Sequence, residues 1–162
     1  MRSKFDVEVM NFERKRILDS FSILLPSVFE IMLEEYAQLK YPHSLRPEYL
    51  LTTPDLTVNL GFTILPNAQM KSIREVTEHI REILENTERA GAFRIGDATS
   101  LENAKGYWFD FRTSAEDVTI YNMHLIAIIN GVVLQSSFNC LFEDFLDWKA
   151  IIIQMWESIK QD

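Results

Sequence analysis

The alternation of apolar and polar residues sets the first expectations along this chain. In "FDVEV", Phe5, Val7 and Val9 alternate with Asp6 and Glu8, the period of a strand buried on one face. "DSFSILLP" repeats the pattern with Phe21, Ile23 and Leu25 until Pro26 stops it. The interval then lengthens: Phe29, Met32, Leu33 and Tyr36 of "SVFEIMLEEYAQL" recur at helical spacing, with Ser27 as the candidate cap. "KYPHSLRPEYL" is broken by Pro42 and Pro47 and reads as a loop. Two strands are predicted near residues 49–53 and 57–65, with Pro54 and Asp55 turning between them.

"NAQMKSIREVTEHIREILENTE" carries the clearest helical stripe: Met70, Ile73, Val76, Ile80, Ile83 and Leu84, opposite a face of Glu, Arg and Lys. Ser72 and Glu75 have capping-box spacing, with Asn67 as an alternative start one turn earlier, and Gly91 ends the run. Phe93 and Ile95 suggest a short strand. "GYWFDFRT" suggests another, with Tyr107, Phe109 and Phe111 inward or, in the opposite phase, Trp108. A hairpin and a last helix near residues 143–159 complete the order β-β-α-β-β-α-β-β-β-β-α. Strands clustered on short connections argue for an antiparallel sheet covered by helices rather than a doubly wound parallel one.

The hairpin lies in "VTIYNMHLIAIINGVVLQSSFNC". Asn130-Gly131 is the preferred pair for a two-residue turn in which both residues take positive φ. Such a turn dictates register. One face then pairs Ile129 with Val132, Ala127 with Leu134, Leu125 with Ser136, Met123 with Phe138, and Tyr121 with Cys140, an apolar face on which Cys140 is a small buried hydrophobe. The other pairs Ile128 with Val133, Ile126 with Gln135, His124 with Ser137, and Asn122 with Asn139. It is apolar near the turn and polar at the far end. The polar end is either the hydrogen-bonded rim of a helix-covered sheet or a groove for a partner's backbone, formed by Asn122, His124, Gln135, Ser137 and Asn139. A Ser–His pair flat on a sheet has neither the orienting carboxylate nor the oxyanion hole that nucleophilic catalysis requires.

The last helix is apolar beyond one stripe. Phe145, Trp148, Ile152, Met155 and Ile159 make the core side, while Leu146, Ile153 and Trp156 fall mostly off it. Either the loops or N-terminal strands bury these residues, or Trp156 anchors an interface with a partner or a second copy. The proline-broken loop offers Tyr41, Arg46 and Tyr49, residue types enriched at interfaces, or else packs its aromatics on the sheet edge.

With 162 residues, 47% of them apolar and eleven Phe, the chain is expected to fold as one domain, residues 1–162, without staples. Its formal charge of −8 weighs against nucleic acid and anionic membrane surfaces as partners. The only dense basic cluster, Arg14-Lys15-Arg16, is expected in a solvated turn between strands. Cys140 is the sole cysteine, so no internal disulfide forms. The N-terminus lacks the apolar core of a secretory signal and no apolar run reaches membrane-span length, which makes the expected setting cytoplasmic, without direct membrane insertion. No nucleophile elbow, zincin motif or P-loop occurs, and His43, His79 and His124 are far apart, none with another His or Cys at ligand spacing. No catalytic residue, metal or cofactor is expected.

"FSILLP" followed by "KYP", "RP", "VNLGF", "IYN", "SFNC" and a terminal "SI" resembles small bacterial proteins of the PsbP-like (Mog-one/PsbP/DcrB) superfamily, over roughly Phe21 to Ile159. The resemblance implies an α/β/α sandwich, an α+β fold with a mostly antiparallel sheet of six or seven strands flanked by helices. It also implies non-catalytic work: binding a GTPase in nuclear import, assisting photosystem assembly, or serving as an adaptor for transmembrane segments of secreted effectors. A leader and a lipobox cysteine, found in envelope members, are missing near the start of this sequence. The expected function is a non-enzymatic protein-binding adaptor or chaperone-like module. The alternatives are a small-ligand-binding domain with an apolar cavity between sheet and helix, and an enzyme with a site not evident from motifs.

Overall fold

The computed structural model describes residues 10–42, 46–65, 72–87, 96–101, 105–115 and 117–161. The expected strands at Phe5–Val9 and at Phe93 and Ile95 fall outside them, as do Met70 and Gly91. Fourteen elements are numbered here in chain order: β1 (Phe12–Ile17), β2 (Phe21–Pro26), β3 (Glu30–Ile31), α1 (Glu34–Lys40), β4 (Tyr49–Thr52), β5 (Asn59–Leu65), α2 (Ile73–Thr87), β6 (Thr99–Ser100), β7 (Gly106–Ala115), β8 (Val118–Ile129), β9 (Val132–Leu141), a single 3-10 turn (Phe142–Asp144), α3 (Phe145–Glu157) and β10 (Lys160–Gln161). Seven strands form one sheet in the order β3-β4-β5-β9-β8-β7-β6, and β1, β2 and β10 form a second, small sheet. Every strand pairing among the described residues is antiparallel, as the short connections predicted.

The β8–β9 hairpin has the register its turn predicted. Ile129 faces Val132, His124 faces Ser137, Asn122 faces Asn139 and Tyr121 faces Cys140. Asn130 and Gly131 take φ of 51° and 77°. The turn is also tied down: Asn130 Nδ2 donates to Ser20 O at 2.7 Å, and its backbone N–H to Gln161 Oε1 at 2.9 Å.

This register sends alternate residues of the central strands into two different layers. On one side α3 and the small sheet share a core with Leu60, Phe62, Met123, Leu125, Leu134 and Phe138 of the large sheet. Phe21 meets the Phe62 ring edge-on at 5.7 Å, and Trp148 meets Phe29 at the same distance. On the other side Ile73, Val76, Ile80 and Leu84 of α2 cover Phe109, Phe111, Ile126 and Val133, and α1 covers Leu50 through Ala37. Ser72 caps α2 as its spacing predicted, its Oγ accepting from the Glu75 N–H at 3.2 Å. Ile83, expected in the stripe, is exposed, and Thr77 is buried instead, its hydroxyl returned to Ile73 O.

Three expectations are corrected. The basic cluster is strand, not turn: Arg14, Lys15 and Arg16 lie within β1, paired with β2 alone among the described residues, and its charged side chains reach water while Ile17 enters the core. The reversal falls one step later, where Leu18 and Asp19 take positive φ. The helix expected from Ser27 begins only at Glu34, without a side-chain cap. Before it, Phe29 and Met32 are buried as irregular chain and Glu30–Ile31 joins the sheet edge, with Met32 N donating to Leu50 O at 2.9 Å. Sheet pairing there outcompetes local helical propensity. Trp156, finally, is a core residue with no exposed surface. Its indole N–H donates to Ser136 Oγ at 3.0 Å, which in turn donates to Gly61 O at 3.0 Å. Trp156 thus lies in the core that α3 shares with both sheets, the burial alternative of the two readings, while Leu146 stays 77% exposed.

Among the described residues, the buried Asp144 Oδ1 and Trp148 Nε1 have no hydrogen-bond partner. Burial, with Glu143 and Asp147 adding to it, raises the Asp144 pKa. The folded protein therefore holds this proton more tightly than the unfolded chain, a contribution to stability that is present below the ordinary carboxylate pKa and lost as pH rises. Asp144→Asn is expected to raise the melting temperature near neutral pH, with the gap from wild type closing as the buffer is acidified toward about pH 4; thermal scans across that range check it. Gly131→Ala isolates the backbone, because nothing lies within 4 Å of a Cβ there. It should cost about 1–2 kcal/mol through the positive φ alone, read as a lower urea midpoint at unchanged slope.

Candidate functional site

Between α1 and α2 the large sheet shows a strip that neither helix buries. Strand alternation places Asn122 and His124 of β8, Gln135, Ser137 and Asn139 of β9, and Asn59 and Thr63 of β5 side by side on it, through the cross-strand pairs Asn122–Asn139, His124–Ser137, Thr63–Gln135 and Asn59–Asn139. Five of the predicted residues, Asn122, His124, Gln135, Ser137 and Asn139, thus share one floor, and all are half-buried.

Tyr41 joins them from the loop. Its hydroxyl accepts from Asn139 Nδ2 at 3.0 Å, and Asn139 Oδ1 accepts from Asn59 Nδ2 at 2.9 Å. Asn59 Oδ1 takes the Thr52 hydroxyl at 2.8 Å, which ties four chain segments into one polar line. Asn59 and Thr52 escaped sequence reasoning, because a single Asn opening an apolar strand carries no local mark of its cross-strand partner. Pro47 lies on the strip as well. A Cβ at Gly61 would meet the Pro47 ring at 2.7 Å and Ser137 Oγ at 2.8 Å, so only glycine lets the loop sit this low. Arg46 is not brought to the floor. It pairs with Glu34 and clamps the loop to α1, lowering the Glu34 pKa. Tyr49 faces the opposite layer.

The floor is electrically neutral. His124 lies nearly parallel to the rings of Phe109 and Phe111, with centroids 5.6 and 5.5 Å away. Its Nδ1 is 3.3 Å from Gln135 Nε2 and accepts that N–H while the ring is neutral. Burial pushes its pKa down to about 4. Burial raises the Tyr41 pKa, with the Asn139 hydrogen bond partly opposing it. Asn122 Nδ2 donates to Thr113 Oγ1 at 3.1 Å. Ser137 stands opposite His124, but no hydrogen bond joins the two among the described residues, so no Ser–His couple is assembled. The strip is suited to exchanging hydrogen bonds with an uncharged ligand. Cys140 is on the other face and fully buried, its thiol pushed up to about 12 by burial and by Asp144.

Two further depressions, each of about 390 Å³, open on the rim of the sheet beside Phe142, and both are shallow. In the first, Tyr121 donates to Asp110 Oδ2 at 2.7 Å and Lys149 Nζ lies 3.3 Å from the same oxygen. Among the described residues no group of three His, Cys, Asp or Glu is placed to hold a metal ion, and no helix is long and apolar enough to cross a membrane.

No protein-family model and no curated protein matches the chain. Solved structures do. Cyanobacterial PsbP (CyanoP) from Synechocystis sp. PCC 6803 is 11% identical with a TM-score of 0.65, covering 99% of this chain and 98% of that one. The Ran-binding protein Mog1p of Saccharomyces cerevisiae is 8% identical with a TM-score of 0.62, covering 94% and 96%. LpqN of Mycobacterium tuberculosis, involved in cell envelope biogenesis, is 11% identical with a TM-score of 0.58, covering 99% and 87%. The chain has the Mog1/PsbP/DcrB-like fold that its motifs resembled, with a seven-stranded sheet.

The His124 ring protons are expected to titrate in an NMR pH series with a midpoint of about 4, against an ordinary 6.5. A depressed folded pKa means that the stability the neutral ring contributes is complete above 6.5 and is lost as pH falls toward 4. His124→Phe should flatten the acid limb of the stability profile over that window.

Proposed function

We propose that this protein is a non-catalytic binding module, of adaptor or chaperone type, which takes an uncharged polypeptide segment of a partner protein into the strip between α1 and α2. One observation carries the reading: side-chain donors and acceptors from three adjacent strands face one half-buried strip with no carboxylate or fixed cation among them. A peptide backbone offers the complementary donors and acceptors without charge, and a partly desolvated floor strengthens each such bond. The fold supports protein binding as a role, since Mog1p, which shares it, is Ran-binding. The partner is another protein in this reading; a homodimer through Trp156 loses its anchor, because that side chain is fully buried. The cytoplasmic setting expected from the sequence stays part of the proposal.

An apolar ligand between sheet and α3 is disfavoured by the packing there. Trp148, Trp156, Phe62 and Phe138 fill that layer at 0–1% exposure.

The test removes polar groups from the floor and leaves the core alone. Asn122→Ala combined with Gln135→Ala should reduce recovery of the native partner roughly tenfold, the loss of one or two well-placed hydrogen bonds. Leu146→Ser, on the far side of the molecule, should leave it unchanged. Quantitative affinity purification compares the three proteins, with circular dichroism confirming that each is folded. Equal recovery by the floor variant and wild type would sink the assignment.

A further inference from the structure

The small sheet turns its own outward face to water, on the side away from the core it shares with α3. Alternation along β1 and β2 sends Ile17, Phe21, Ile23 and Leu25 inward, and all four are buried. The same alternation puts Phe12, Arg14 and Arg16 of β1 on the outward side with Ser22 and Leu24 of β2. Lys160 of β10 joins them, directly opposite Ser22. Phe12 is 43% exposed and Leu24 36%.

Positive charge gathers at one point of this face. Arg14 Nη1 donates to Ser22 Oγ at 3.0 Å and to Ser158 O at 3.2 Å, so two uncharged oxygens hold the guanidinium over β2. Lys160 flanks Ser22 from the other side, its strand about 5 Å away at sheet spacing. Among the described residues neither Arg14 nor Lys160 has a carboxylate within ion-pair distance, whereas Arg16 is matched by Asp19 at 3.2 Å. A guanidinium carries five N–H donors, so Arg14 keeps donors for a ligand beyond those two oxygens. Leu24 lies directly opposite Arg14, and Phe12 two residues along the same strand, which sets apolar surface beside the two cations.

This combination selects the occupant. A carboxylate over Ser22 would meet a guanidinium, an ammonium and a hydroxyl, and hydrogen bonds assisted by charge are the strong ones. Phe12 and Leu24 add apolar area for a bulky side chain next to that carboxylate. A membrane or a nucleic acid would bring an extended anionic surface against much of a chain of net charge −8. A short segment meets mainly the local field, because exposed charges are screened within about 8 Å at physiological salt. We propose that the outward face of the small sheet docks an acidic segment of another protein. Its Asp or Glu carboxylate sits between Arg14 and Lys160 at Ser22, and an apolar side chain rests on Phe12 and Leu24.

The probe is a labelled peptide of Glu and Leu, with a Lys and Leu twin of the same order, titrated by fluorescence anisotropy in about 0.15 M salt. The Glu/Leu peptide is expected to bind and its twin is not. Affinity should fall roughly tenfold or more in Arg14→Gln/Lys160→Gln and severalfold in Phe12→Ser/Leu24→Ser. Lys160→Gln by itself, at an exposed side chain, should also cost severalfold, and it covers the case in which the Arg14 change disturbs the fold. Asn122→Ala/Gln135→Ala should leave affinity unchanged, so this face and the strip can each fail alone. Circular dichroism confirms the fold of each variant. No binding of the Glu/Leu peptide, equal binding of the twin, or full affinity in the double cation variant overturns the proposal. So does cosedimentation of the wild type with phosphatidylserine vesicles that this variant abolishes, or a wild-type dimer that it dissociates, because the occupant is then a membrane or a second copy.

Discussion

The two-residue turn at Asn130-Gly131 is the constraint on which the rest of the structure depends. Side chains of a strand alternate between faces, so a slip of one residue would exchange every occupant of the two layers. Held in register, the hairpin sends Tyr121, Met123, Leu125, Phe138 and Cys140 toward α3, and Asn122, His124, Gln135, Ser137 and Asn139 toward α1 and α2. β5 pairs with β9 and β7 with β8, so the same parity propagates across the large sheet. The turn is itself held from outside by Ser20 and Gln161, which couples the small sheet to the register of the large one.

The two faces solve opposite problems. Toward α3, burial is nearly complete, and the polar atoms that enter that layer are mostly paired, as Ser136 is between Trp156 and Gly61. Toward α1 and α2 the helices stand apart, and the strip between them keeps its polar atoms half in water. The Tyr41–Asn139–Asn59–Thr52 line stiffens one end of the strip, while His124, held neutral by burial between aromatic rings, and Ser137 line its middle. A preorganised neutral surface loses little on binding an uncharged segment, since no ion must be stripped of water. That is the physical basis for proposing it as a recognition surface.

Legibility of the sequence varied with how local each determinant is. The hairpin, the capped start of α2 and the Asp55 turn were all readable, because each depends on residues within a few positions of one another. Asp55 Oδ1 accepts from the Thr53 hydroxyl and from the Thr57 N–H and hydroxyl, three bonds within five residues. The segment from Ser27 to Leu33 was misread because its helical spacing of apolar residues is real, yet Phe29 and Met32 serve two different cores. The basic cluster misled for a related reason. Charged residues read as a turn until it is known that β1 pairs with β2 through them. In the candidate site, five floor residues followed from the turn, whereas Asn59, Thr52 and the seat of Pro47 on Gly61 are contacts between segments distant in sequence.

Alternation and turn chemistry by themselves determined the antiparallel character of the sheet, the pairing within the central hairpin, the inward thiol and the polar end of its second face, because these depend on backbone stereochemistry over short spans. Only the tertiary structure decided that Trp156 is buried with its indole on Ser136, and that Arg46 turns to Glu34 while Tyr41 turns to Asn139. Each of those outcomes depends on which segments lie against one another, and packing between distant segments is set by the whole core rather than by any stretch of chain.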